Sequence, residues 1–109
     1  MPKGYWVSVY PTIGDPEKLG VYNELAGRAV AAAGGRVLAS IGSRIDAYEA
    51  GIAERVVLIE FSSFEQAVAA RASAAYQEAL AALPAGFERD FRIVEALDRP
   101  SSGRGFADA

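Results

Sequence analysis

Between Gly4 and Tyr10 the chain alternates, placing Tyr5, Val7 and Val9 on one face of an extended segment and Trp6, Ser8 and Tyr10 on the other. Large apolar groups on both faces predict a strand covered from both sides. Pro11, Gly14 and Pro16 end it. Asp15-Pro16-Glu17 then reads as a helix start, with a capping carboxylate, a proline where no N–H is required and an acid in the first turn. The period changes to steps of three and four: Leu19, Tyr22, Leu25, Ala26, Ala29, Val30 and Ala33 form one stripe, closed by Gly34-Gly35.

Arg36 to Ile41 is predicted as a second strand, and Ile45 to Glu49 as its continuation past an irregularity at Gly42-Ser43 or a short extension. Glu54 to Phe61 is the strongest strand, with Val56-Val57-Leu58-Ile59 apolar on both faces, as in a central strand. Two overlapping capping boxes, Ser62 with Glu65 and Ser63 with Gln66, start a helix that turns Phe64, Ala67 and Val68 inward. Ser73 can act as a second cap, dividing the region into a helix ending near Ala72 and another from Ala74 to Leu83 carrying Tyr76, Leu80 and Leu83. Pro84 and Gly86 close it. Phe87 to Leu97 alternates again, Phe87, Arg89, Phe91 and Ile93 against Glu88, Asp90, Arg92 and Val94, and supplies the last strand.

The resulting β-α-β-β-α-β order predicts an α+β, ferredoxin-like sandwich: a four-stranded antiparallel sheet with two helices on one face. The other face is left bare. Because strands one and three are apolar on both sides, a second copy of the chain is the economical cover, and a homodimer is expected.

Composition narrows the chemistry. The 109 residues make one domain, with 51% hydrophobic and 23% charged residues, as in a globular protein that folds without metal. Lys and Arg total 11 against 14 Asp and Glu, a net charge of −3 without a basic cluster, so nucleic acid is not an expected partner. No run approaches a membrane span or a signal-peptide core, which makes the cytoplasm the default location. His and Cys are both absent, which excludes Ser-His-Asp and Cys-His catalysis and the usual zinc, haem and iron–sulfur ligand sets. No cofactor and no metal are expected. Asp15 with Glu17 and Glu88 with Asp90 lack the further oxygen ligands of a metal loop, and the glycines lack the strand, loop and helix context of a phosphate cradle.

Six segments in order carry a resemblance: Gly4-Tyr5-Trp6, Asp15-Pro16-Glu17 with Tyr22, Gly34-Gly35-Arg36, Val57-Leu58-Ile59-Glu60-Phe61, Ser73-Ala74-Ala75-Tyr76-Gln77 and Ile93-Val94-Glu95. Together they resemble the domain-of-unknown-function family 1330, in the dimeric α/β-barrel superfamily. The resemblance implies that residues 1–97 form a dimeric α/β-barrel domain, two sheets facing each other, with a pocket in each subunit between sheet and helices. Residues 98–109, without apolar periodicity, are expected to be a flexible tail. Two departures stand out. Ser40 occupies the place where the family pattern carries an arginine, leaving Arg44 as a candidate replacement, and a Ser-Pro-Glu-Tyr helix start has become Ser73-Ala74-Ala75-Tyr76.

The candidate site residues follow from position. Glu60, a charge ending an apolar strand, is a candidate general base if it points under the helices, and a solvated strand-end carboxylate otherwise. Tyr22 and Tyr76 on their helix stripes are candidates to polarise a carbonyl, or core tyrosines. Arg36 at a strand start can hold a carboxylate or enolate, or pair with Glu60 on the surface. Trp6 can stack on a ligand or belong to the core, and Ser40 and Arg44 complete the candidate ligand-binding set. Two functions remain open. One is a cofactor-independent enzyme, of isomerase, cyclase or monooxygenase type, on an aromatic or polyketide-like substrate, as in relatives within the superfamily. The other is a non-catalytic ligand-binding or interaction module.

Overall fold

The computed structural model describes residues 2–11, 15–40, 42–49, 55–85 and 87–98. Four strands, β1 (Gly4–Tyr10), β2 (Arg36–Ala39), β3 (Arg55–Phe61) and β4 (Asp90–Glu95), form one antiparallel sheet in the order β2-β3-β1-β4. The two strands that read as apolar on both faces, β1 and β3, are the central pair. The register sorts the side chains. Trp6 lies beside Ile59 and Ile93, Ser8 beside Val57 and Phe91, and Tyr10 beside Arg55, all on one face. Tyr5 beside Glu60 and Val94, Val7 beside Leu58, and Val9 beside Val56 occupy the opposite, outer face.

Asp15 starts the first helical segment as expected, its carboxylate accepting the Glu17 N–H at 3.1 Å. Pro16–Leu19 form a 3-10 turn, and the α-helix proper, α1, runs Gly20–Ala32. The tighter turn carries Leu19 into the core, where it is 2% exposed. Gly34 ends α1 at φ 78°, a backbone conformation open to glycine at little cost. Ser63 caps α2 (Phe64–Ala72), its hydroxyl accepting the Gln66 N–H at 3.1 Å. Ser62 instead bonds the Gln66 side chain. Ser73 divides the region: its extended backbone ends α2, its hydroxyl accepts the Tyr76 N–H at 3.2 Å, and α3 (Ala74–Ala81) begins.

Trp6 is the hub of the core. Its ring lies 5.0 Å from that of Phe61, 4.8 Å from Tyr76 and 5.3 Å from Phe91, and its indole N–H donates to the Ala67 carbonyl of α2 at 2.9 Å. Alanines make the close approach possible: Ala67 and Ala79 are fully buried. Gly4 is pressed so tightly against the start of α2 that a Cβ there would meet the Ser63 carbonyl at 2.5 Å.

Three expectations are corrected. Residues 42–49 contain no strand, because the β2–β3 register, with Ala39 opposite Leu58 after a bulge, runs out of β3 near its first residue, Arg55. β4 is shorter than Phe87 to Leu97. Its pairing with β1 ends at Val9 opposite Asp90, leaving Phe87–Arg89 outside the ladder. Finally, Ser73 does split the second helical region, as its capping role allows, so three helices rather than two cover the sheet. The expected tail lies, but for Asp98, outside the described residues. No helix among the described residues is long and apolar enough to cross a membrane.

Candidate functional site

A cavity of about 180 Å³ opens between the inner face of the sheet and α1 and α3. Its floor is the inward row of β1, Trp6, Ser8 and Tyr10, together with Arg55, Val57 and Ile59 of β3 and Phe91 of β4. Tyr22 and Asn23 of α1 and Tyr76 of α3 form the roof. Apolar walls dominate, and the polar groups converge from a few positions, the usual build of a small-molecule site.

Arg89 organises one side of it. Its guanidinium donates to three phenolic oxygens, at 2.6 Å to Tyr22, 3.0 Å to Tyr10 and 2.8 Å to Tyr76. The Tyr22 and Tyr76 hydroxyls are also bonded to each other at 2.6 Å, tying α1 to α3. That pair shares one hydroxyl hydrogen between its oxygens. The second has no acceptor among the described residues and is available to an incoming oxygen. The guanidinium also lies 4.9 Å from the ring centre of Phe91 and 5.3 Å from that of Tyr22.

Electrostatics hold two of these hydroxyls, Tyr22 and Tyr10, protonated. Burial, then the neighbouring Tyr76, pushes the Tyr22 hydroxyl up to about 12, outweighing Arg89. Burial likewise raises Tyr10 against the opposing pull of Arg89. For Arg89 itself burial works against the charge, but the oxygens of Tyr22, Tyr76 and Tyr10 more than reverse that, and its pKa is raised above the ordinary arginine value. The cluster is a guanidinium cation ringed by three phenolic oxygens that accept its hydrogen bonds.

A second arginine lines the other side of Tyr10. Arg55 is 9% exposed, lies 5.4 Å from the Tyr10 ring centre, and reaches the Asn23 side-chain oxygen at 3.4 Å and the Ser40 hydroxyl at 3.3 Å. Its Nε has no hydrogen-bond partner among the described residues, and neither has the hydroxyl of Ser8, which is 2% exposed. Among the described residues the cavity lining contains no Asp or Glu.

Of the residues singled out from the sequence, the structure brings Tyr22, Tyr76, Trp6 and Ser40 together at this cavity. It does not bring Glu60, Arg36 or Arg44 there. Glu60 stands on the outer face, where it accepts from Tyr5 at 3.2 Å and pairs with Lys3 at 3.5 Å and Arg36 at 3.6 Å. The role of general base is therefore withdrawn, and the alternative of an Arg36–Glu60 surface pair is what the structure contains. Arg44 is exposed and does not line the cavity, and the arginine that hydrogen-bonds Ser40 is Arg55.

Arg89, Arg55, Tyr10 and Ser8 are site residues that position alone did not single out. The alternation that put Arg89 in line with Phe91 and Ile93 was the signal for an inward arginine.

The pattern of the domain of unknown function DUF1330 matches residues 3–97. The chain belongs to the DUF1330 family. Two solved structures resemble this DUF1330 domain, both titled for one protein from Rhodopseudomonas palustris, described as of unknown function. The first has a TM-score of 0.62 at 15% identity, covering 90% of this chain and 85% of that one. The second, of the methylated protein, has a TM-score of 0.61 at 14% identity, covering 92% and 84%. At that identity the likeness concerns the fold. No curated protein matches the chain.

Proposed function

We propose that this DUF1330 domain binds a compact acidic small molecule, largely apolar and about the size of one aromatic ring, between the sheet and the helices. The observation that carries the reading is Arg89 bound to three phenols in a cavity with no carboxylate among its described lining residues. A half-buried guanidinium satisfied only by neutral oxygens keeps a charge that an anion would neutralise. The volume supports the size, since an apolar cavity of roughly 150 Å³ accommodates benzene.

Binding without turnover is the reading favoured over a cofactor-independent enzyme. Proton abstraction needs a base near its working pH, whereas Tyr10 and Tyr22 hold their protons and Glu60 faces the other way. We further propose that a second copy of the chain covers the outer face, completing a dimeric barrel in which each cavity is built within one chain.

Isothermal titration with benzoate and its neutral isostere benzamide tests the reading. Benzoate is expected to bind about tenfold or more tightly than benzamide, the worth of one charge-assisted hydrogen bond. In Arg89→Met that preference should vanish. Equal affinities for the two probes in the unaltered protein, or no benzoate binding at millimolar concentration, overturn it.

A further inference from the structure

The cluster around Arg89 leaves two buried polar groups unexplained. Ser8 and Arg55 lie on neighbouring central strands, on the face that forms the cavity floor, and both line the cavity. The Ser8 hydroxyl and the Arg55 Nε have no partner among the described residues, although the two residues are 2% and 9% exposed. A buried donor left unmade is costly, and cores rarely retain one without a use. Alanine would fill the Ser8 position on that strand at no such cost. The rest of the Arg55 head group is already oriented, by Asn23 on α1 and by Ser40 just past β2, so the free Nε–H is held in place rather than mobile.

We propose that Ser8 and Arg55 form a second acceptor-binding subsite, on the opposite side of Tyr10 from Arg89, so that the ligand carries two oxygen functions: an acid at one end and a second carboxylate or carbonyl oxygen at the other. The geometry around Tyr10 carries this. Arg55 and Arg89 lie 5.4 Å and 5.7 Å from the centre of the same ring, both line the cavity, and neither has an acidic partner among the described residues. A ligand spanning Tyr10 would supply acceptors to both. A monofunctional acid would satisfy only one. The inference rests on the proposed function, since it takes the Arg89 cluster as the first subsite.

The test compares benzoate with the three benzenedicarboxylates by isothermal titration, in the unaltered protein and in Ser8→Ala and Arg55→Lys. At least one dicarboxylate isomer, the one whose spacing matches the subsites, should bind about tenfold or more tightly than benzoate. Ser8→Ala should reduce that gain to within about twofold of the same variant's affinity for benzoate, as expected when one hydrogen bond to one end of the ligand is lost. Arg55→Lys keeps the charge but lacks the Nε–H, and should do the same. A thermal melt without ligand adds a readout that a structural serine would fail. Ser8→Ala should melt no lower than the unaltered protein, because it removes an unsatisfied group. If benzoate binds and no dicarboxylate gains, or if the gain survives both substitutions, the second subsite is overturned while the acid-binding reading stands. If benzoate does not bind at all, that reading falls and the subsite falls with it.

Discussion

A phenol in water releases its proton near pH 10, and Tyr22 does not, because its buried oxygen would become an anion beside Tyr76. The displacement has a sign that stability measurements can read. Below pH 10 the folded and unfolded chains both keep the Tyr22 proton, and its contribution to stability is complete. Between pH 10 and about 12 only the unfolded chain releases it, so stability falls across that window, by an amount on the order of 2 kcal/mol for this one group. Urea unfolding at increasing pH should show the fall above pH 10, and Tyr22→Phe should flatten it. An unfolding free energy independent of pH in that range, or a fall unaltered in Tyr22→Phe, would contradict the buried pair. The same scale explains which site residues were legible in the sequence. Tyr22 and Tyr76 were, because helix stripes point one way and an aromatic on the stripe must face the sheet. Glu60 was misplaced because Val56 to Ile59 are all apolar: without alternation a strand does not declare which parity is inward. Arg89 and Arg55 escaped notice for the opposite reason, a charge being the residue least expected on a core-facing position.

Elements were more legible than side chains, because caps and turns are local. The bounds of β1 follow from its alternation and from Pro11, and both Ser63 and Ser73 cap the helices that follow them. What the sequence could not show were limits set by pairing: the loss of strand after Ala39 and before Asp90 depends on where pairing with β3 and β1 stops, information that lies elsewhere in the chain. Ser73 makes the more consequential link from element to site. Its hydroxyl donates to the Ala70 carbonyl at 2.7 Å and accepts the Tyr76 N–H at 3.2 Å, so the break between α2 and α3 also fixes the residue that meets Tyr22 and Arg89. Ser73→Ala should cost about 1 kcal/mol in urea unfolding, the usual price of a lost N-cap. Ser73→Thr keeps the oxygen and should restore most of it. A continuous helix through position 73 in the alanine variant, read as a gain in helical circular dichroism with no loss of stability, would show that the break has another origin.

At the scale of the whole molecule, one face of the sheet carries three helices and the other carries none. The outer face has an aliphatic centre, Val7, Val9, Val56 and Leu58, each partly exposed in the single chain, with Val94 at 46% exposure on the β4 side. Charges on that face are already paired, Glu60 with Lys3 and Arg36 near one end and Asp90 with Arg92 near the other. Such a surface resembles half of a protein core, and two copies related by a twofold axis can stack their aliphatic centres while leaving the ion pairs at the rim. Sedimentation velocity at micromolar concentration should therefore return twice the chain mass. Leu58→Glu puts a charge at the centre of that face and should give a monomer, since a buried unpaired carboxylate costs more than a modest interface can offset. Because Arg89, its three tyrosines, Ser8 and Arg55 all belong to one chain and to the opposite face, the Leu58→Glu monomer should keep its affinity for benzoate. An unaltered protein that sediments as a monomer overturns the barrel, and a dimer that survives Leu58→Glu moves the contact to another surface.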